Sequence, residues 1–191
     1  GYSNLTGIDL SETMIDDAKK ILPNTVILEV SDVSEFLERT PSGSYDVVFF
    51  HDVLEHLPRK KTVEILCKLK EILSDNGYLS IRVPNMSSLF AAYCANIDFT
   101  HITNFTEYSL LQVLEAAGFN PASIRFPKQA PRLFWDWSNS LHSLFRLLNR
   151  IRWHLSNGLH RFLYLLWDMH PQPKIFDCNL VALVKKHCCP K

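Results

Sequence analysis

Three residues that could do chemistry sit within five positions of one another: Asp52, Glu55 and His56, in the run Tyr45-Asp46-Val47-Val48-Phe49-Phe50-His51-Asp52-Val53-Leu54-Glu55-His56-Leu57-Pro58. At i, i+3 and i+4 they share one face of a helix starting near Asp52. Two carboxylates and an imidazole on one face can move protons or hold a divalent cation. His101 lies in a later loop, Asp98-Phe99-Thr100-His101-Ile102-Thr103-Asn104-Phe105, rich in groups able to face a ligand. Asp9 and Asp32 each follow a short β-branched stretch. A carboxylate at a strand tip can accept both hydroxyls of a ribose, or it can cap the next helix. Two such acids at successive strand tips favour the nucleotide over the caps.

The elements that must position these groups alternate along the chain. Asn4 to Asp9 and Thr25 to Val30 read as strands, and Glu12 to Leu22, capped by Ser11, and Val33 to Arg39 as helices. Val47 to Phe50 is an unbroken apolar run, as expected of a strand covered on both faces of a parallel sheet. The helix begun near Asp52 is expected to run through Ile65, Leu66, Leu69, Ile72 and Leu73. It would stop at Ser74-Asp75-Asn76-Gly77, with Gly77 in the left-handed position. Tyr78 to Val83 is a strand, Met86 to Asn96 a helix or irregular lid, and Thr106 onward an amphipathic helix ending at Gly118-Phe119. Ala122 to Phe126 and Asn179 to Lys185 complete the strands. Short connections between apolar strands and helices define an α/β, doubly wound, mostly parallel sheet, whose ligands bind at the carboxyl ends of the strands.

The totals set limits. The chain has 191 residues, enough for one domain with a sizeable core, and 20 basic against 20 acidic residues. With no net field there is no argument for nucleic acid as a partner. Five cysteines at irregular spacings, none in CxxC, read as reduced thiols of a cytoplasmic protein. No apolar run is long enough to span a bilayer.

Residues 129–173 form an insert of different character, and Leu133 to His170 carries all four tryptophans, Trp135, Trp137, Trp153 and Trp167. Leu144, Leu148, Ile151, Leu155, Leu159, Phe162 and Leu166 repeat at steps of three and four, with Arg146, Arg150 and Arg161 on other faces. Asn157-Gly158 is expected to break this run into two helices. Two readings stay open for the insert: a basic amphipathic segment lying peripherally on an anionic membrane, or a cap packed on the sheet or on a second subunit.

Gly7-Ile8-Asp9-Leu10-Ser11, Ser31-Asp32-Val33, Tyr45 to Pro58, and Asn76-Gly77-Tyr78-Leu79 resemble, in order and spacing, class I S-adenosylmethionine-dependent methyltransferases. So does His101-Ile102-Thr103-Asn104-Phe105-Thr106 with the helix that follows it, so that the resemblance spans residues 1 to about 126 and resumes in the last strand. The likeness is to the ubiquinone-biosynthesis-like group and to methyltransferases acting on small metabolites and surface polysaccharides. It implies a Rossmann-like sheet with an antiparallel last strand and a helical insert before it. It implies S-adenosyl-L-methionine as cofactor and an oxygen or nitrogen of a small-molecule, sugar or lipid-linked acceptor as methyl recipient. By the resemblance, Asp9 and Leu10 bind the ribose side, Asp32 and Val33 flank the adenine, and the backbone near His51 lines the methionine end. A subset of the family binds a divalent metal through residues placed as Asp52, Glu55, His56 and His101 are, which here would be Mg²⁺ or Mn²⁺. Metal binding, metal-free acid/base work by His56 and His101, and a structural role all remain open for this cluster.

One departure matters. The family's glycine-rich turn has no counterpart among the six scattered glycines. The expectation is therefore a single methyltransferase-like domain over 1–191, truncated before its first strand. The alternative is a methyltransferase-like module without activity that serves as a partner- or membrane-binding unit.

Overall fold

The computed structural model describes residues 2, 4–128, 140–167 and 170–187, with side chains of the long helix from 143 onward. Strand β1 (Leu5–Asp9) leads through Ser11 into α1 (Glu12–Ile21). The Ser11 hydroxyl accepts the Met14 N–H at 3.3 Å, and Lys19 and Lys20 occupy the last turn, where the helix dipole favours cations. Strand β2 (Val26–Val30) lies parallel to β1 with Asp9 opposite Val30, and it is followed by α2 (Val33–Arg39). Strand β3 (Tyr45–His51) ends at a short 3-10 turn, Leu54–His56, before α3 (Arg59–Ile72).

β4 (Leu73–Pro84) is the longest strand. It pairs in parallel with β3 on one side, with His51 opposite Arg82. On the other it pairs antiparallel with β6 (Asn179–Lys185). Between β4 and β6 in the chain come α4 (Ala91–Asn96), α5 (Glu107–Ala116), the short β5 (Ile124–Arg125) and α6 (Ser140–Leu166). β5 adds to the free edge of β6, giving the order β3-β4-β6-β5, while β1 and β2 hydrogen-bond as a separate pair. The last strand is antiparallel, as expected. The core lies between the four-stranded sheet and α3 and α5, where Leu66, Leu73, Leu79, Ile81, Leu110 and Leu114 have no exposed surface. Among the described residues no helix is long and apolar enough to cross a membrane.

Three local expectations are corrected. The helix after β3 does not start at Asp52. Asp52 has φ of 54°, in the left-handed region, and α3 begins only after Pro58, whose ring fixes the N-terminal backbone without needing an N–H partner. Gly77 does not terminate a helix in the left-handed form. α3 runs directly into β4, and Ser74 to Gly77 are absorbed in a register irregularity between Tyr45 and Val47 on the partner strand. Glycine is required there for close approach: a Cβ on Gly77 would fall 2.9 Å from the Ser74 carbonyl oxygen. The left-handed helix stop is Gly118 instead, at φ 83°. There the Phe119 N–H donates to the Leu114 carbonyl at 3.0 Å and the Gly118 N–H to that of Glu115 at 2.8 Å, closing α5.

Asn157-Gly158 does not break the insert, because α6 is continuous over 27 residues. A single interior glycine costs only about 1 kcal/mol. The Asn157 amide is absorbed by donating to the Trp153 carbonyl at 2.9 Å. Trp135 and Trp137 lie outside the described residues.

The return from α6 to β6 is fixed by Asn85, which is fully buried. Its side-chain amide donates to the carbonyls of Ile175 at 3.0 Å and Asp177 at 2.9 Å, and its carbonyl accepts the Ser87 N–H at 3.0 Å. Its backbone N–H donates to the Cys178 carbonyl at 2.9 Å. Replacing Asn85 by Ala takes the side-chain partner from two carbonyls and one N–H at a buried position. Urea unfolding of Asn85→Ala should show a loss of about 2–4 kcal/mol with little change in slope. A loss below about 1 kcal/mol would mean that water or a rearranged backbone satisfies those groups.

Candidate active site

Asp9 and Asp32 stand at the same ends of two parallel, directly paired strands. Each gives one oxygen to its own turn: Asp9 Oδ1 accepts the Ser11 N–H at 2.7 Å, and Asp32 Oδ1 accepts the Ser34 N–H at 2.8 Å as N-cap of α2. The cap reading of Asp32 is therefore realised in the geometry. It leaves room for the other reading, because a carboxylate has about four acceptor positions and one is used here. Leu10, just past Asp9, is 71% exposed, and Val33 packs partly against the core at the first turn of α2.

At the tip of β3 the side chains part company. The His51 ring is tied sideways to the Ser80 hydroxyl at 2.8 Å, and burial, reinforced by the Arg82 charge, holds its pKa below the ordinary histidine value. Asp52 is held by Arg82, whose Nε donates to Oδ1 at 3.0 Å and whose second nitrogen bonds Oδ2, while the Asp52 N–H donates to the Arg82 carbonyl at 2.9 Å. This two-point pairing explains how a non-glycine residue keeps a left-handed backbone. Sequence reading missed Arg82. The only available signal was an arginine in an apolar strand, and the register that faces it to Asp52 is tertiary. Asp52 therefore leaves the cluster in which it was expected, since its carboxylate is neutralised by a guanidinium and the backbone turns away before a helix can start.

Glu55, His56 and His101 do come together, with one donor atom from each within 4.8 Å of the others, and the two imidazole rings are 4.8 Å apart. The junction is made by backbone. The Glu55 carbonyl accepts N–H groups from both Ile102 (3.0 Å) and Thr103 (2.9 Å), and the Thr103 hydroxyl donates to the Leu57 carbonyl at 2.9 Å. The Thr100 hydroxyl donates to Asp98 Oδ1 at 2.7 Å and so accepts from His56 Nδ1 at 2.9 Å. That network assigns the proton of His56 to Nδ1 and leaves Nε2 as the acceptor nitrogen.

Glu55 is 2% exposed and its Oε2 has no hydrogen-bond partner. Burial pushes its carboxyl above the ordinary glutamate value, against the opposing pull of a backbone hydrogen bond and of His56. A buried, unpartnered oxygen beside two imidazoles is the feature of this site most in need of a ligand or a proton.

The arrangement is that of an α/β protein whose chemistry-bearing groups gather at strand ends and in the loops beyond them. A family of methyltransferase domains matches residues 1–124, and the chain belongs to it. Its fold is that of the class I S-adenosylmethionine-dependent methyltransferases. Solved structures similar to it include an S-adenosylmethionine-dependent methyltransferase from Archaeoglobus fulgidus (21% identity, 94% of this chain and 75% of that one, TM-score 0.64). Another is an S-adenosylmethionine-dependent methyltransferase from Mesorhizobium loti (15% identity, 97% and 81%, TM-score 0.62). A third is the Burkholderia thailandensis 1,6-didemethyltoxoflavin-N1-methyltransferase, solved with that small molecule and S-adenosylhomocysteine bound (16% identity, 96% and 61%, TM-score 0.53). No curated protein matches the chain in sequence.

The raised Glu55 carboxyl has a pH signature. An acid whose folded value is raised contributes stability fully below its unfolded value, near 4.5, and that contribution is lost as pH rises through the folded value. Glu55→Gln removes the titration. Urea midpoints compared from about pH 4 to pH 8 should show the native chain losing stability relative to the Gln variant as pH rises. Parallel curves would mean that Glu55 ionises as freely in the fold as in the unfolded chain.

Proposed function

We propose that this chain transfers the methyl group of S-adenosyl-L-methionine to an oxygen or nitrogen of a small-molecule, sugar or lipid-linked acceptor. The observation that carries the reading is the placement of Asp9 and Asp32 at adjacent parallel strand tips, each with acceptor capacity left after its local turn. In this reading Asp9 accepts the ribose hydroxyls, Leu10 covers the sugar, and Asp32 with Val33 borders the adenine. The backbone at His51 lies toward the methionine end. The His51 ring, tied to Ser80, serves the sheet rather than the ligand. When bound, the cofactor supplies an electrophilic methyl on a sulfonium leaving group.

The acceptor's lone pair attacks that carbon in line, and the protein's main task is alignment. Nε2 of His56, held by the Thr100–Asp98 hydrogen bonds, takes the acceptor's proton, and His101 orients the acceptor beside it.

A second reading is favoured by one observation, the unpartnered Glu55 Oε2. Glu55, His56 and His101 form a one-carboxylate, two-imidazole set with one donor atom from each within 4.8 Å of the others, and their side chains would have to draw together around a single ion. Two imidazoles suit Mn²⁺ better than Mg²⁺, and such an ion would lower the pKa of an acceptor hydroxyl. Asp52 is not part of this set.

Calorimetry with S-adenosylhomocysteine should give a binding heat that is lost in Asp9→Ala/Asp32→Ala and kept in His56→Ala. Unchanged heat in the double aspartate variant would remove the adenosine assignment. Turnover should fall by about 10²–10⁴-fold in His56→Ala and resist chelators. Turnover that chelators abolish and Mn²⁺ restores would transfer the cluster to the metal reading.

A further inference from the structure

α6 is amphipathic in the inverted sense. Its polar and aromatic side faces the protein: His160, 1% exposed, accepts the Leu89 N–H at Nε2 (2.7 Å) and bonds the Ser156 carbonyl through Nδ1 (2.7 Å). Its ring stacks on Phe176 at 5.0 Å. Tyr164 donates to the Ser87 carbonyl at 3.2 Å, and the Trp153 indole donates to Asp177.

The apolar stripe points outward. Leu148, Leu155, Leu159, Phe162 and Leu166 are each between 51% and 69% exposed, and Trp167 at the helix end is 70% exposed. The stripe continues onto the preceding segment, where Leu89 and Phe90 close one wall of a groove of about 410 Å³ shared with Leu148 and Leu155. A contiguous apolar patch on this scale marks an interaction surface.

Charge selects the occupant. From 140 to 167 the chain holds Arg146, Arg150, Arg152 and Arg161 and no acidic residue. Arg152 lines the groove itself, about 50° from the centre of the stripe at roughly 100° per residue, while Arg150 and Arg161 lie farther round the helix on other faces. A second copy docked through the same patch would bring a second Arg152 to the seam, with no carboxylate between 140 and 167 on either helix to answer it. A bilayer with anionic headgroups meets both halves of the pattern, with acyl chains under the stripe and a phosphate beside Arg152. At about 40 Å long and too polar to span, the helix would lie in the interface plane.

We propose that the outward face of α6, with Leu89 and Phe90, docks this protein peripherally on an anionic membrane surface. The inference is independent of methyl transfer, because it needs no cofactor and its test contains none.

Vesicles of phosphatidylcholine mixed with phosphatidylserine should sediment the full chain at low salt, and vesicles of phosphatidylcholine alone should not. Leu155→Ser/Phe162→Ser, at exposed positions outside the core, should abolish sedimentation. Arg152→Glu, which reverses the charge bordering the groove, should weaken partitioning by about tenfold or more. Absence of binding to anionic vesicles, or equal binding to both compositions, would overturn the proposal. So would a dimer in sedimentation equilibrium that Leu155→Ser/Phe162→Ser dissociates, because a second copy would then be what covers the stripe.

Discussion

The site depends on one carbonyl oxygen. The Glu55 backbone, in a 3-10 turn just beyond β3, accepts two N–H groups from Ile102 and Thr103, nearly fifty residues away in the chain. Both of its lone pairs are used, so the turn after β3 and the loop before α5 move as one body. His56 and His101 face each other for that reason. Remove the pin and the imidazoles belong to separate loops. The same fastening buries the Glu55 side chain, which is how a carboxylate comes to sit without a partner beside two imidazoles. Positioning by backbone bonds is stiffer than positioning by long side chains, because little rotamer freedom has to be given up. A group-transfer site that works mainly by alignment needs that stiffness.

The rest of the fold has two attachments of a similar kind. Asn85 fastens the end of β4 to the segment entering β6 through two side-chain hydrogen bonds and one backbone hydrogen bond. Glu107, at the start of α5, accepts the Lys174 N–H at 3.0 Å, and Tyr108 donates to the Gln172 carbonyl at 2.7 Å. Both attachments fasten the segment that follows α6, and α6 adds polar contacts of its own through His160, Tyr164 and Trp153. Its apolar stripe is therefore free to face outward, where a helix placed by hydrophobic burial would have turned it in.

Most of the fold was legible because its signals are local. Ser11, Asp32 and Thr106 accept backbone N–H groups at three helix starts, and the apolar run at Val47 to Phe50 is a strand. The alternation of strands and helices also matches the residue pattern, and the antiparallel last strand matches what the family resemblance implies. Errors came where a local rule has two outcomes. Gly77 reads as a helix stop, but glycine also serves where backbones approach closely, and the Cβ clearance against Ser74 shows that this is its use here. Asp52 fits helical spacing with Glu55 and His56, yet Pro58 delays the helix and Arg82 holds Asp52 in a left-handed turn. Asn157-Gly158 reads as a turn, but a single interior glycine costs little, the Asn157 amide bonds the Trp153 carbonyl, and the helix continues through both.

What the sequence determined by itself is the set of elements, the acids at two consecutive strand tips, and the period of the insert's apolar stripe. Each follows from interactions within a few residues. The tertiary structure alone decided that Arg82 takes Asp52 out of the cluster, that His101 joins Glu55 and His56, and that the insert shows its apolar side to the outside. Each of these rests on a contact between residues far apart in the chain, and spacing along a sequence carries no record of register or of which face turns inward.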